Sequence, residues 1–254
     1  FLVPVAKRMI AAQDDLKPSQ FVRNLASRLQ GYELDPFSAW LSQIGVDALV
    51  TPLLKGISEV PAVVSVCNTL AMTTPKKKYD LVIGNPPYGR IKLDAAQREE
   101  FSDVLYGHAN LYSLFMDIAL RHTKKRGLLS YLTPTSFLAG EYFKSLRAHL
   151  FAHARPVTLD LVAVRKGVFQ EVLQEVLLAT YKKGSTRRTA SIHLAEPESF
   201  DTLRITPTGS FRLPAVGSEP WLMPKSIAEA EVFKHLQRLT SRLDDWGYAV
   251  STGP

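Results

Sequence analysis

The feature that most limits the possible folds of this chain is the alternation of short apolar segments with amphipathic ones over residues 1–184. Helical spacing of apolar residues occurs at 1–12, 17–29, 36–49, 111–124 and 141–152. Short β-branched or apolar runs predict strands at 31–36, 63–66, 79–84, 128–132, 158–164 and 172–181. Strands separated by helices predict an α/β protein with a doubly wound, mostly parallel sheet.

The last two predicted strands depart from this pattern, because the link around Gly167 is too short for a helical crossover. They are expected to form an antiparallel hairpin at the end of the sheet. After residue 184 the chain becomes polar and is punctuated by prolines. The predicted organisation is therefore a core over 1–184, a linker over 185–225 with one strand at 190–194, and a helix over 226–243.

The composition points to a globular protein with a polyanionic partner. Lysine and arginine number 31 against 24 acidic residues, a formal charge of +7, and nucleic acid is the commonest polyanion. The single cysteine, Cys67, cannot form an internal disulfide, which fits a reducing cytoplasm. No leader is visible, and no apolar run reaches the roughly 20 residues that cross a membrane. The six histidines lack metal-ligand spacing, so neither a metal nor a catalytic histidine is predicted.

The segment 79–88 joins a predicted strand to the rigid loop Asn-Pro-Pro-Tyr. Asn85 supplies a side-chain oxygen as hydrogen-bond acceptor, and the carbonyl oxygen of Pro86 supplies a second. The rings of Pro86 and Pro87 restrict the backbone, so both acceptors are held ready before a ligand arrives. Tyr88 offers an aromatic face for stacking. The loop follows the carboxyl end of a strand, where doubly wound sheets bind ligands.

These groups suit methyl transfer to the exocyclic amine of adenine. That amine is a poor nucleophile because its lone pair is delocalised into the ring. Two acceptors that take both amine hydrogens draw the nitrogen toward tetrahedral geometry and free the lone pair. The base must also leave the duplex and be held by stacking. A rigid turn that merely closes a strand is the alternative interpretation of the tetrapeptide.

Further segments occur in the order found in a known enzyme family. They are residues 31–36 (Gly-Tyr-Glu-Leu-Asp-Pro), 110–115 (Asn-Leu-Tyr-Ser-Leu-Phe), 127–137 (ending Thr-Pro-Thr-Ser-Phe) and 167–169 (Gly-Val-Phe). With the Asn-Pro-Pro-Tyr loop, residues 1–184 resemble the TaqI-like adenine-N6 DNA methyltransferases of restriction-modification systems. The resemblance implies the S-adenosylmethionine-dependent methyltransferase fold, S-adenosyl-L-methionine as cofactor and double-stranded DNA as substrate. A cognate restriction endonuclease or a fused nuclease domain is the implied partner.

The resemblance also implies individual roles. Glu33 would bind the ribose hydroxyls of the cofactor, as an acid ending the second strand does in such sheets. Leu34 and Phe115 would pack on the cofactor adenine. Phe169 would stack on the target adenine opposite Tyr88. Ordinary core packing is the alternative for the three apolar residues.

Two residues near the loop are candidates for contact with DNA phosphates. Arg90 lies two residues after Tyr88, and His108 lies between the loop and the next helix. Asn68 and Thr69 stand where the family commonly has an aspartate for the cofactor's amino group. Asn68 still offers an amide oxygen there, but without a charge.

The family's glycine-rich loop and the central first strand of its sheet have no counterpart in the sequence, which opens with residues resembling those just after that loop. We therefore predict that the sequence is a fragment that binds S-adenosylmethionine poorly. Residues 226–254 would begin a DNA-recognition domain. Two alternatives remain open: a protein-glutamine or ribosomal RNA methyltransferase that shares the loop, and a non-catalytic DNA-binding fragment.

Overall fold

The computed structural model describes residues 1–12, 18–54, 59–75, 77–162, 175–199, 202–236, 239–241 and 243–249. They fall into two compact units, Phe1–Lys78 and Tyr79–Pro254. Within these ranges, no helix has the length and apolar character that crossing a membrane would require.

The first unit packs helices against a short two-stranded sheet. Its elements are α1 (Leu2–Ala11), α2 (Pro18–Arg28), β1 (Gly31–Glu33), α3 (Pro36–Val50) and β2 (Val64–Val66). Strands β1 and β2 are parallel, with Glu33 opposite Val66. The core is formed by buried apolar side chains of the helices and of the segment before β2: Ala6, Phe21, Val22, Leu25, Leu29, Val46, Val50 and Val63. The helices and strands predicted for this region are confirmed.

Local sequence explains how β1 leads into α3. The Asp35 carboxylate accepts a hydrogen bond from the Ser38 amide at 2.7 Å, and Pro36 begins the helix. An aspartate N-cap followed by proline is a strong helix start. Gly31 lies close to the end of the Leu2 side chain, so a Cβ there, 2.7 Å from Leu2 Cδ1, would force that side chain to move.

The second unit carries the main sheet. Its strands are β3 (Tyr79–Gly84), β4 (Arg90–Ile91), β5 (Ala109–Asn110), β6 (Thr123–Pro134), β7 (Ala154–Val162), β8 (Val176–Lys183), β9 (Thr189–Pro197) and β10 (Leu203–Arg212). Its helices are α4 (Ala95–Glu100), α5 (Leu111–His122), α6 (Lys144–His153) and α7 (Ile227–Leu236).

The described residues form a mixed six-stranded sheet in the order β10-β9-β7-β8-β6-β3. The pairs β3–β6 and β7–β9 are parallel, and the other three are antiparallel. The α/β class and the antiparallel pairing of β7 with β8 are confirmed. The expectation of a mostly parallel sheet is wrong, because short links such as 198–202 leave no room for a helical crossover. The β7–β8 pair also lies inside the sheet, and β10 and β3 are its end strands.

The segment 185–225 differs from the predicted linker. It contains β9 and β10, so the sheet extends to Arg212. Beyond β10, Trp221 is 1% exposed, packs against Phe137 and Phe211, and donates its backbone N–H to the Leu138 carbonyl at 2.7 Å. Sequence patterns did not predict this packing. An edge strand keeps one face exposed, so the segment carries polar residues and prolines that resemble those of a linker. The following helix, α7, is described over Ile227–Leu236, and residues 239–241 are not helical, so the predicted helix does not reach 243.

The buried carboxylate of Asp117 connects α5 to α6 through its contact with His149. Asp117 is 3% exposed, with Arg121 Nη2 at 2.7 Å from Oδ2 and His149 Nε2 at 3.1 Å from Oδ1. Burial acts to raise the pKa of Asp117, but the hydrogen bonds and charges of His149 and Arg121 outweigh it, and the net pKa is lowered. The carboxylate therefore stays ionised inside the unit.

Candidate active site

The Asn-Pro-Pro-Tyr loop begins where β3 ends. Because β3 runs parallel to β6, the loop emerges at the carboxyl ends of both strands, the position expected for a ligand site. Gly84 allows the close approach of β6, since a Cβ there would lie 2.9 Å from Tyr131 Cε1. The loop is therefore anchored directly to the main sheet.

Within the loop, the two predicted acceptors remain available. The Asn85 residue is exposed and Pro86 is buried. No hydrogen bond to the Pro86 carbonyl oxygen occurs among the described residues. Proline has no N–H, and Pro86 and Pro87 restrict backbone rotation between Asn85 and Tyr88. The loop thus presents acceptor groups on a backbone of limited freedom.

Tyr88 is bonded back to its own loop and to the neighbouring strand. Its hydroxyl donates to Asn85 Oδ1 at 2.8 Å and lies 3.2 Å from the Leu132 carbonyl oxygen on β6. Burial raises the pKa of Tyr88, so the hydroxyl keeps its proton. The Asn85 oxygen has two lone pairs, so it can accept this bond and one more. Tyr88 therefore orients the side chain that carries the predicted chemistry.

An aromatic group that the sequence did not single out lies behind Tyr88. The Tyr112 ring stands perpendicular to the Tyr88 ring with centroids 6.3 Å apart. Tyr112 also stacks on Phe143 at 5.2 Å, and its hydroxyl lies 3.2 Å from Ser136 Oγ. The apolar spacing of residues 111–124 identifies the helix but not this contact. The available signal was a tyrosine in the first turn of helix α5.

The loop continues into a two-residue ladder. Gly89, with φ +114°, accepts a hydrogen bond from the Leu111 amide at 2.9 Å, and Arg90 pairs with Asn110. Arg90 is exposed beside the site. His108 is exposed just before β5, and its ring lies 5.4 Å from that of Tyr142. The two phosphate candidates therefore flank the same ladder.

The remaining predicted residue of the target-base site, Phe169, lies outside the described residues. Phe115 is half-buried on α5, although its neighbours Leu114 and Met116 are fully buried. Its role on the cofactor adenine stays a prediction. Among the described residues, no group of three or more histidine, cysteine or acidic side chains could hold a metal ion.

The predicted cofactor residues of the first unit lie at the ends of its two strands. Glu33 Oε1 accepts hydrogen bonds from the amides of Leu34 and Asp35 at 2.8 and 3.0 Å. Its second oxygen, Oε2, has no hydrogen-bond partner in the described part of the chain. Leu34 is 67% exposed. A carboxylate fixed through one oxygen and open at the other fits a ribose hydroxyl pair, and the exposed leucine fits an apolar ring.

Asn68 and Thr69 follow β2. Asn68 is exposed, and its Oδ1 accepts a hydrogen bond from the Leu70 amide at 3.1 Å. Thr69 begins the short 3-10 turn Thr69–Ala71. The Asn68 oxygen keeps a second lone pair, so it fits one hydrogen bond from an amino group.

Comparison with known proteins supports the methyltransferase interpretation of the chain. Residues 53–169, which include the loop, match the family of Eco57I restriction-modification methylases. The resemblance predicted from the motifs is confirmed. The Type II methyltransferase M.BsuBI of Bacillus subtilis is 28% identical over 193 residues, which cover 70% of this chain and 36% of that protein. The chain therefore spans about a third of the length of this relative.

Solved structures show the same fold at low identity. One is assigned to the class I S-adenosylmethionine-dependent methyltransferases of Listeria monocytogenes, with a TM-score of 0.52 and 18% identity over 69% of this chain and 51% of that one. Another is a nuclease-deletion mutant of the Type ISP restriction-modification enzyme LlaGI in complex with a DNA substrate mimic. It has a TM-score of 0.60 and 14% identity over 87% of this chain and 26% of that one.

Proposed function

We propose that the protein containing this chain is a site-specific DNA adenine-N6 methyltransferase of a restriction-modification system. It would transfer a methyl group from S-adenosylmethionine to an adenine flipped out of the duplex. The observation that carries the proposal is the exposed Asn85 oxygen on a proline-stiffened loop, held by Tyr88 at the carboxyl end of β3. The family match over residues 53–169 supports the reaction class.

In this mechanism Asn85 Oδ1 and the Pro86 carbonyl oxygen each accept one hydrogen of the adenine amine. S-adenosylmethionine, when bound, would supply the methyl group as an electrophile, with its sulfur as the leaving group. The two acceptors of the loop would direct the lone pair of the amine toward that methyl group, and the methylated amine would release one proton to solvent. A preorganised acceptor of this kind contributes about 10²–10³-fold to rate. Tyr88 stacks on the base, and Phe169 would cover the opposite face.

The cofactor would be held by Glu33, Leu34, Asn68, Thr69 and Phe115. Glu33 Oε2 would accept the ribose hydroxyl hydrogens, while Oε1 keeps the turn in place through two backbone amides. Leu34 and Phe115 would contact the adenine ring. The amide oxygen of Asn68 would accept a hydrogen from its amino group. Because Asn68 carries no charge, this last bond is weaker than one to an aspartate.

DNA contacts beyond the flipped base are proposed for Arg90 and His108. Both are exposed, and both adjoin the ladder that leads out of the loop. Arg90 carries a permanent positive charge, which suits a phosphate. The excess of basic residues in the chain agrees with a polyanionic substrate.

We also propose how the whole protein is organised. A further strand would pair with β3, an end strand of the described sheet, and a DNA-recognition domain would include residues 226–254. A restriction endonuclease, separate or fused, would act on the same DNA sequence. The reaction would take place in the cytoplasm, which agrees with a single cysteine and no disulfide.

The test uses the full-length gene product. It is incubated with S-adenosylmethionine and unmethylated DNA of mixed sequence, and the digested nucleosides are measured by mass spectrometry. N6-methyladenine that is absent with Asn85→Ala would establish both reaction and site. A preparation that binds cofactor but methylates no base would reject DNA as substrate. Parallel assays with ribosomal RNA and with glutamine-containing protein would then identify the alternative acceptor.

A further inference from the structure

The hydrogen bonds of the Tyr88 hydroxyl do not fix the orientation of its ring plane. The hydroxyl oxygen lies on the axis about which the ring turns, so the bonds to Asn85 and Leu132 survive a ring rotation. Rotation about this bond in tyrosine is broad and has only a twofold preference. A neighbour packed against the side of the ring is therefore required to hold its plane.

Tyr112 is that neighbour. Its ring stands at 89° to the Tyr88 ring with centroids 6.3 Å apart, a favoured geometry for aromatic pairs. Tyr112 is 1% exposed. In the proposed reaction it touches neither the base nor the cofactor, so any influence on the reaction passes through Tyr88.

Tyr112 is itself held in two ways. Its hydroxyl and Ser136 Oγ are 3.2 Å apart, and its ring stacks on Phe143 with centroids 5.2 Å apart at 23°. The stacking partner holds the plane of the ring, and the hydroxyl bond holds its far end.

The segment that carries Ser136 and Phe143 is fixed by backbone bonds and by a buried arginine. Arg147, 1% exposed, donates to the carbonyl oxygens of Phe137 and Gly140 at 2.9 and 2.7 Å. Gly140 in turn donates to the Ser136 carbonyl at 2.9 Å and accepts from the Phe143 amide at 3.1 Å. The segment behind Tyr112 is therefore fixed to the folded core through the buried Arg147.

We infer that Tyr112 is a positioning residue that, together with Ser136 and Phe143, sets the plane of the Tyr88 ring for stacking on the target base. This inference rests on the proposed function for its catalytic consequence, but the ring orientation itself is a property of the protein alone. Misplacement of a reacting group by about 1 Å reduces a rate about 100-fold. A tilted Tyr88 would therefore slow methyl transfer without weakening DNA binding in proportion.

The first test is fluorine NMR of the full-length protein with 3-fluorotyrosine placed at position 88. Tyr112→Leu is expected to move the signal and to narrow it, because the ring begins to turn rapidly. Phe21→Leu is the matched control, since it removes a buried ring from the core of the first unit. An unchanged Tyr88 signal in Tyr112→Leu would overturn the inference, as would an equal change in Phe21→Leu.

The second test measures single-turnover methyl transfer and DNA affinity. Tyr112→Leu is expected to lower the transfer rate about 30-fold or more, with the Kd for DNA changed less than about twofold. Tyr112→Phe and Ser136→Ala each remove the same hydroxyl contact. Each should lower the rate about threefold, and the double variant should be no slower than either single variant. Additive losses, or equal losses in rate and affinity, would contradict the assignment.

The two tests separate the inference from the proposed function. Wild-type protein that makes no N6-methyladenine refutes the proposed reaction, whereas the fluorine signal still decides whether Tyr112 holds Tyr88. Wild-type activity with unaffected variants refutes the positioning role alone. Should Tyr112→Leu fail to fold, Tyr112→Phe and Ser136→Ala decide the outcome through the same fluorine signal.

Discussion

The two compact units support their predicted site residues in different ways. In the second unit, Tyr88 connects the loop around Asn85 to Leu132 on the main sheet and to Tyr112 on helix α5. In the first unit, among the residues that the structure describes, the side chains of Glu33 and Asn68 bond only to amides one or two residues away. The proposed target-base groups are therefore preorganised by distant parts of the chain, whereas the proposed cofactor groups are organised by their own turns.

The difference follows from strand length and pairing. Strands β1 and β2 have three residues each, whereas β6 has twelve and joins the six-stranded sheet. Short strands end in exposed turns, where local bonds are the available support. A substitution in the first unit should therefore affect a single contact with the ligand. A substitution among the residues that pack against the loop should affect the reaction through several residues.

The largest effect is expected for Asn85→Ala. Loss of the proposed acceptor should lower the methyl-transfer rate about 10³-fold, while the affinity for DNA changes little. Single-turnover assays and fluorescence anisotropy of labelled DNA measure the two quantities. A variant that loses DNA binding and activity together would show that Asn85 supports the loop rather than the chemistry, which would weaken the contrast between the units.

Asp117→Asn tests the stability of the second unit. Removing a buried, doubly paired charge should lower the free energy of unfolding by about 3 kcal/mol at neutral pH. The folded pKa of Asp117 lies below its ordinary value, so its contribution is complete above that value and is lost as the pH falls through the folded pKa. Arg121, His149 and the nearby His153 are the charged or titratable groups around it.

Chemical denaturation at several pH values checks this expectation. The difference between wild type and Asp117→Asn should be constant near neutral pH and should shrink below about pH 4. A difference that grows in acid would contradict the sign of the pKa shift. Loss of the Tyr88 fluorine signal at the same denaturant concentration would show that the loop unfolds with the sheet.

Replacement of Tyr88 should separate stacking from hydrogen bonding. Tyr88→Ala removes a stacking surface worth about 1–3 kcal/mol, so the rate should fall about 30-fold. Tyr88→Phe keeps the ring and loses one neutral hydrogen bond, so a fall of about fivefold is expected. Single-turnover rates give both values. Equal losses in the two variants would mean that the hydroxyl, and not the ring, carries the function.

Glu33→Gln should have the smallest effect on the methyl-transfer rate, because its loss should be confined to the affinity for the cofactor. The variant keeps one acceptor oxygen and loses the charge, so the Kd for S-adenosylmethionine should rise about tenfold. Calorimetry measures the affinity, and single-turnover assays at saturating cofactor should give a nearly unchanged rate. A reduced methyl-transfer rate at saturating cofactor would show that Glu33 influences the reaction itself and not the cofactor affinity alone.

Sequence patterns identified most of the elements that carry the site. Helix α3 begins at Pro36 after the Asp35 cap, and β3 ends at the glycine before Asn85, as predicted. Other features were missed because their signals were weak. Strand β10 has exposed residues along much of its length, and Tyr112 resembled any other residue of an amphipathic helix.

What the sequence determined by itself was local: where helices and strands begin, and which acceptors the loop at 85–88 presents. Caps, prolines and apolar periodicity act over a few residues, so they can be recognised without the fold. The tertiary structure alone decided the strand directions, the entry of β9 and β10 into the sheet, and the contact between Tyr112 and Tyr88. These depend on pairing and packing between residues far apart in the chain, whose partners local sequence does not specify.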